Sequence, residues 1–160
     1  MSSNCWRWIT LKNNFMRPVW VLWWAITLAW AGLIFYLSTQ TFAPDFSRSV
    51  LAEMLSVLHC KVSPATFATL HTCFRKLAHL TEYAIFALLL YAYPDEEENP
   101  RWQRGRALTC IVVIALYSLT DEYHQLYVPQ RHSSLLDCGW DTLGASLAML
   151  LPFIQHQVKQ

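Results

Sequence analysis

Charge is scarce in this chain. Lys and Arg number 12 and Asp and Glu 11, together 14% of the residues, against roughly 25% in ordinary soluble domains. The net charge of +1 leaves no global basic field, so nucleic acid is not an expected partner. Glycine is scarcer still, and the four glycines form no phosphate-cradling loop. Five cysteines, at 5, 60, 73, 110 and 138, include no CxxC pair, which argues against a zinc ribbon or a thioredoxin-type site. A GxSxG motif is absent, so a serine hydrolase has no support. There is no repeat and no low-complexity tract, and 160 residues suffice for one domain.

The abundant residues are apolar and aromatic. Hydrophobic residues make up 54%, with eight Trp, seven Tyr and eight Phe; aromatics of this kind favour membrane interfaces. Residues 19–37 (VWVLWWAITLAWAGLIFYL) contain no charge, and about 20 apolar residues cross a membrane core as a helix. A cleaved signal peptide is the competing reading, but its apolar core would be only about 7–15 residues long. Three further apolar runs, 83–93, 108–119 and 138–153, reach spanning length only by including neighbouring ionisable residues. Short helices of a soluble core are the alternative; the first run argues against it.

The expected fold is therefore all-α, an integral membrane bundle of about four helices over 19–38, 76–93, 107–127 and 135–153. An N-terminal segment, 1–18, precedes this membrane domain, 19–154, and a short tail, 155–160, comes after it. Residues 49–58 (SVLAEMLSVL) predict a short amphipathic helix on the membrane surface, and Pro64 interrupts the chain beyond it. Residues 93–106 read as a charged loop, acidic at 95–98 and carrying Arg101, Arg104 and Arg106. Seven Lys and Arg fall on one side of this arrangement and five on the other. Because Arg75, Lys76 and Arg131 of the five belong to a polar cluster, the positive-inside rule places both termini in the cytoplasm of a multi-pass plasma-membrane protein.

The ionisable residues then gather at one end. At about 100° per residue, Lys76, His79, Glu82 and Tyr83 share one helix face, as do Asp121, Glu122 and Gln125. Asp137, Asp141, Gly144 and Ala148 form a narrow stripe whose small members let another helix approach closely. Ionisable groups in lipid persist by facing the bundle interior or a wet cavity, and they mark a functional site by default. With alternating spans, all three polar ends fall in the outer leaflet.

The strings RKLAHLTEY, SLTDEYHQLYVPQR and LLDCGWDTLGASLA, with Ser38-Thr39-Gln40 after the first run, resemble the VanZ-like membrane proteins. The resemblance rests on Lys76, His79, Glu82, Tyr83, Asp121, Glu122, Gln125, Arg131, Asp137, Asp141 and Gly144, and it covers residues 34–151. Gln130 and Ala148 depart from the pattern at positions where the family often has glycine. The resemblance implies a multi-span bacterial envelope protein, from a family named for an accessory determinant of teicoplanin resistance. It supplies a class and a context but no reaction.

Residue by residue, two chemistries compete. Lys76 and Arg131 suit an anion, Arg through its planar fork, yet they also suit ion pairs with the nearby carboxylates. His79, Glu82, Asp121 and Glu122 have the make-up of a proton-transfer set, or of a salt-bridged network without turnover. Tyr83, Gln125, Asp137 and Asp141 complete the binding set, although Ser134-x-x-Asp137 also resembles a capping box. No cofactor is expected. A divalent metal on His79 and Glu82 with Glu122 or Asp121 is the thinner alternative, since a second histidine is missing. Cys60 and Cys73 can pair in an oxidising compartment, with zinc shared by His59 and His71 a remoter option. The expected partners are the lipid bilayer and an anionic lipid headgroup, a lipid-linked cell-wall precursor or a glycopeptide. A packing-only membrane protein and a small ion-coupled transporter are the other readings.

Overall fold

The computed structural model describes residues 3–39, 44–94, 102–128 and 133–158, with residues 3–17 and 44 described by their backbone alone. Every regular element among them is an α-helix. The first, α1, runs Ser3–Leu37 with Pro18 inside it, so the polar N-terminal residues and the apolar run share one continuous helix. Its outward side chains are apolar: Val21, Leu22, Leu28, Phe35 and Tyr36 are exposed, while Thr27, Ile34 and Ser38 are buried.

The second helix, α2, spans Pro44–Val57, beginning earlier than the amphipathic stretch predicted at 49–58. It ends in a left-handed residue, His59 (φ 53°). The Cys60 N–H reaches the Leu55 carbonyl and the His59 N–H that of Ser56, the paired bonds of a Schellman motif. Leu51 is buried, and Ser47 Oγ lies 2.7 Å from His71 Nε2 on the third helix.

That third helix, α3, covers Pro64–Tyr91. It overturns the expectation that Pro64 interrupts the chain and that the helix begins near residue 76. Pro64 occupies the first turn, where its missing N–H has no intrahelical partner to lose, and Ser63 caps it by accepting from the Thr66 N–H at 3.2 Å. Lys76, His79 and Glu82 therefore sit in the middle of a 28-residue helix rather than at its start.

The fourth helix, α4, is Arg104–Gln125, so Arg104 and Arg106 belong to a helix and not to the predicted loop. Arg106 lies 4.9 Å from the centre of the Tyr93 ring. The acidic run 95–98 and Arg101 lie outside the described residues. The expected helix over 135–153 is two pieces, α5 (Leu135–Ala148) and α6 (Leu150–Val158), parted at Met149. Pro152 accounts for the break, because it cannot donate to the carbonyl four residues back and its ring crowds that carbonyl, which belongs to Ala148.

Small residues decide how closely these helices pack. A Cβ on Gly144 of α5 would collide with the Leu80 carbonyl oxygen of α3 and lie 3.1 Å from its Cα. Here the backbones meet with no room for a side chain. Ala145 and Ala148 are buried beside it, against Tyr83, Phe86 and Ala87 of α3 and Ala107 and Ile114 of α4. α1 is pinned to the others by side chains bonding to backbone: Trp23 Nε1 to Leu89 O at 2.9 Å, Trp30 Nε1 to Glu82 O at 3.0 Å, and Tyr117 Oη to Ala31 O at 2.7 Å.

The bundle is apolar outside, and the polar side chains of α4 and α5 turn inward beside its apolar core. On α4, Leu108, Val112, Leu116, Leu119 and Tyr123 form an exposed stripe, and on α5 Leu136, Trp140, Leu143 and Leu147 form another. Ser118, Asp121, Glu122, Gln125 and Asp141 are buried on the opposite faces. Among the described residues, one stretch, Pro18–Leu37, is long and apolar enough to cross a membrane by length and composition, at a mean hydropathy of 1.7. The four-span expectation is not carried by that measure: α3 and α4 hold ionisable residues within the stretch, and α5 and α6, at 14 and 9 residues, are each too short to span.

Candidate functional site

The spacing of polar residues along α3, α4 and α5 turns each set toward a common seam. On α4, Ser118, Asp121, Glu122 and Gln125 occupy one face at i, i+3, i+4 and i+7, and all four are buried. Asp121 is the most bonded. Ser38 Oγ, just past the end of α1, donates to its Oδ1 at 2.5 Å; Gln125 Nε2 and Tyr83 Oη donate to its Oδ2 at 3.0 and 3.5 Å. One carboxylate thus joins α1, α3 and α4.

Asp141, on α5, makes the next link. It is fully buried, its Oδ2 accepts the Ser118 hydroxyl of α4 at 2.5 Å, and its Oδ1 stands 3.5 Å from His79 Nδ1 of α3. Those last two atoms have no hydrogen-bond partner among the described residues, so they hold each other at ion-pair distance. Nδ1 is buried while the ring retains some exposure, which leaves its other edge to face open space. A carboxylate holding one nitrogen of an imidazole is an arrangement able to receive or give a proton at the other.

Glu122 overturns the capping-box expectation. Ser134 does cap α5, its hydroxyl accepting from the Leu136 N–H at 3.2 Å. The carboxylate that takes the Ser134 N–H is nevertheless Glu122 Oε2 of α4, at 2.6 Å. Asp137 is thereby released for another partner, and it pairs with Lys76 Nζ of α3. Lys76 also lies 5.9 Å from the Trp140 ring centre. The helix start is capped across the fold, a pairing that no local spacing reveals.

Beside this seam are two cavities with a shared wall. One, about 170 Å³, lies between the end of α1, α2, α3 and α4; its lining includes Ser38, Phe46, Phe74, Arg75, His79, Glu82 and Asp121. The other, about 130 Å³, lies between α3 and α5 and is lined by His71, Thr72, Arg75, Lys76, His79, Asp137 and Trp140. Arg75 and His79 line both. Each space exceeds several times the roughly 10–15 Å³ that a single water needs.

Of the residues predicted from the sequence, Lys76, His79, Glu82, Tyr83, Asp121, Glu122, Gln125, Asp137 and Asp141 all lie at this one end of the bundle. Arg131 lies outside the described residues. His124 lies tilted against Phe35, with ring centres 4.4 Å apart, away from the seam. Two contributors escape the sequence pattern. Ser118 carries no charge to signal it, though it continues the Asp121–Gln125 face. Arg75 forms an i, i+4, i+7 stripe with His79 and Glu82 on α3, but its neighbour Lys76 is the more conspicuous cation.

Among the described residues, no three His, Cys, Asp or Glu side chains are grouped to hold a metal ion; His79 is turned to Asp141 instead. Cys60 and Cys73 are separate exposed thiols rather than a disulfide, and His71, buried against Ser47, is not poised beside them for zinc.

A family model described as VanZ/LLP1 matches residues 23–156. That range contains all six helices in whole or part. No curated protein and no solved structure matches the chain.

Proposed function

The chain belongs to the VanZ/LLP1 family, and from that premise we propose that it is a multi-pass envelope membrane protein whose polar end binds the anionic group of a lipid headgroup or lipid-linked precursor. The observation that carries the reading is the pair of cavities that Arg75 and His79 both line, one of them lined by Lys76 as well, within a bundle whose outer faces are apolar. A soluble protein rarely exposes contiguous apolar patches beyond a few hundred Å², whereas lipid accepts such a surface and demands that charges turn inward. In this orientation α1, α3, α4 and the α5–α6 pair cross the bilayer, α2 lies at its surface, and both termini are cytoplasmic. Arg75 has no ion pair or hydrogen bond among the described residues, and its planar fork matches phosphate or carboxylate.

A packing-only role has its own support. Asp121, Glu122 and Asp141 each bond across helices, and buried polar groups of this kind are met in structural networks. That role explains the three carboxylates. It does not explain a guanidinium that meets no partner among the described residues, beside a histidine with one open edge.

Two measurements test the reading. In intact cells, a membrane-impermeant maleimide should label the exposed Cys60 and Cys73 thiols and leave a Cys60→Ser/Cys73→Ser variant unlabelled; protection of both until the cells are lysed would reverse the orientation. The purified full chain in an uncharged maltoside detergent should bind inorganic phosphate, read by phosphorus NMR line broadening. No broadening at millimolar phosphate would end the anion-site reading.

A further inference from the structure

His79 and Asp141 meet in a way that the packing of α3 on α5 does not require, since Gly144 and Leu80 already bring those backbones into contact. His79 Nδ1 and Asp141 Oδ1 are both buried, have no hydrogen-bond partner among the described residues, and stand 3.5 Å apart. The carboxylate is fixed from its far side, where Ser118 Oγ donates to Oδ2 at 2.5 Å. A carboxylate at Nδ1 keeps the proton on that nitrogen, so the lone pair of the neutral ring is at Nε2, the edge left to the cavities. In the smaller cavity that lone pair is the one unengaged nucleophile among the described lining residues. Asp137 is paired with Lys76, His71 is bound to Ser47, and the Thr72 hydroxyl donates to the Ala68 carbonyl. Arg75 and Lys76 line the same cavity, each about one helical turn before His79 on α3. Phosphoryl transfer asks for little more than cations around the oxygens and a positioned nucleophile.

Resting on the anion-site reading above, we propose that this cavity is a phosphotransfer centre for a phosphate monoester, with His79 as its nucleophile and Asp141 as the positioning residue behind it. Arg75 and Lys76 hold the phosphate oxygens. The Nε2 lone pair forms a bond to phosphorus as the P–O bond to the alcohol breaks, and a Lys76 N–H gives the departing oxygen its proton. The resulting imidazolium, its proton still on Nδ1, faces the Asp141 carboxylate. Water then bonds to phosphorus, the P–Nε2 bond returns its electron pair to the ring, and a proton of that water restores the Lys76 ammonium. The net change is hydrolysis of the ester to alcohol and phosphate. A lipid phosphate and a small soluble phosphate ester share this chemistry.

The test uses the purified full chain in maltoside. Phosphoramidate, whose ammonia leaves without needing an acid, should phosphorylate it, and peptide mapping by mass spectrometry should place the acid-labile group on His79. Short-chain phosphatidic acid and glycerol phosphate are then compared for release of phosphate; the faster one assigns the source to lipid or to solution. Asp141→Asn keeps an oxygen for Ser118 and should slow phosphorylation at least about a hundredfold, while phosphate still broadens the phosphorus NMR line. A merely structural Asp141 would lower both together. Mapping on the wild-type chain decides the case even where a variant fails to fold. Line broadening by phosphate with neither labelling nor hydrolysis overturns the phosphotransfer centre while the anion site stands. No broadening and no labelling overturns both. A phosphoryl group mapped elsewhere, or hydrolysis with His79 unlabelled, overturns the nucleophile, and a labelled His79 that hydrolyses neither ester overturns the assignment to monoesters.

Discussion

The seam where α3, α4 and α5 meet and the flank beside α2 are built from the same residue types to opposite effect. In the seam every carboxylate has at least one oxygen held from another helix or its cap: Asp121 by Ser38, Asp141 by Ser118, Glu122 by the Ser134 N–H. Backbones there approach until Gly144 has no room for a methyl group. On the flank, Arg75 and His79 face open cavities. Desolvated charge is retained either by being satisfied or by being used. The seam exemplifies the first and the flank the second, which separates residues that hold the bundle from those that meet a ligand.

The largest expected effect falls on the seam. Gly144→Ala places a methyl group against the Leu80 carbonyl, a backbone atom that cannot rotate away, so α3 and α5 must separate. Overpacking of this kind costs about 1–3 kcal/mol, and here the upper end is expected, seen as a fall in thermal midpoint and in monodisperse yield from detergent. A variant as stable as the wild type would mean the two helices are not in close contact. Next is Asp121→Leu, which strands Ser38, Gln125 and Tyr83 without their shared acceptor. Leaving buried polar groups unsatisfied costs about 1–3 kcal/mol, and Asp121→Asn, which keeps an acceptor oxygen, should lose less. If both variants melt alike, the carboxylate is not the joint between α1 and α4.

This division is partly legible in the sequence. Helical spacing places Lys76, His79, Asp121, Asp137 and Asp141 on converging faces because ionisable residues stand out in apolar runs, and the small-residue stripe through Gly144 announces the close contact. The elements' ends are less legible, since proline reads the same whether it stops a helix or starts one. Pro64 starts α3 and Pro152 breaks α5 from α6, and only the surrounding backbone distinguishes the two. Neutral partners are invisible: Ser38 and Ser118 carry no charge, and the Ser134 N–H that satisfies Glu122 belongs to every residue alike. Arg75 is overshadowed by Lys76. A pair of adjacent cations in sequence points in two directions on a helix, and it is the less conspicuous one that faces both cavities.

The smallest effect on stability, and the sharpest on the comparison, is expected at Arg75. Its guanidinium has no hydrogen bond or ion pair among the described residues, so Arg75→Gln removes none of the bonds that hold them together. A substitution free of caps, cavities and buried pairs shifts stability by no more than about 0.5 kcal/mol. Phosphate binding, by contrast, should fall by at least about tenfold, because a charge-assisted contact to an anion contributes about 1.5–3 kcal/mol. Asp121→Leu supplies the reverse profile, a large loss of stability. Measured together, melting and phosphate binding should rank the two variants in opposite orders. Should Arg75→Gln instead destabilise the chain as much as Asp121→Leu, the flank would be an extension of the seam, and the open cavities a by-product of packing.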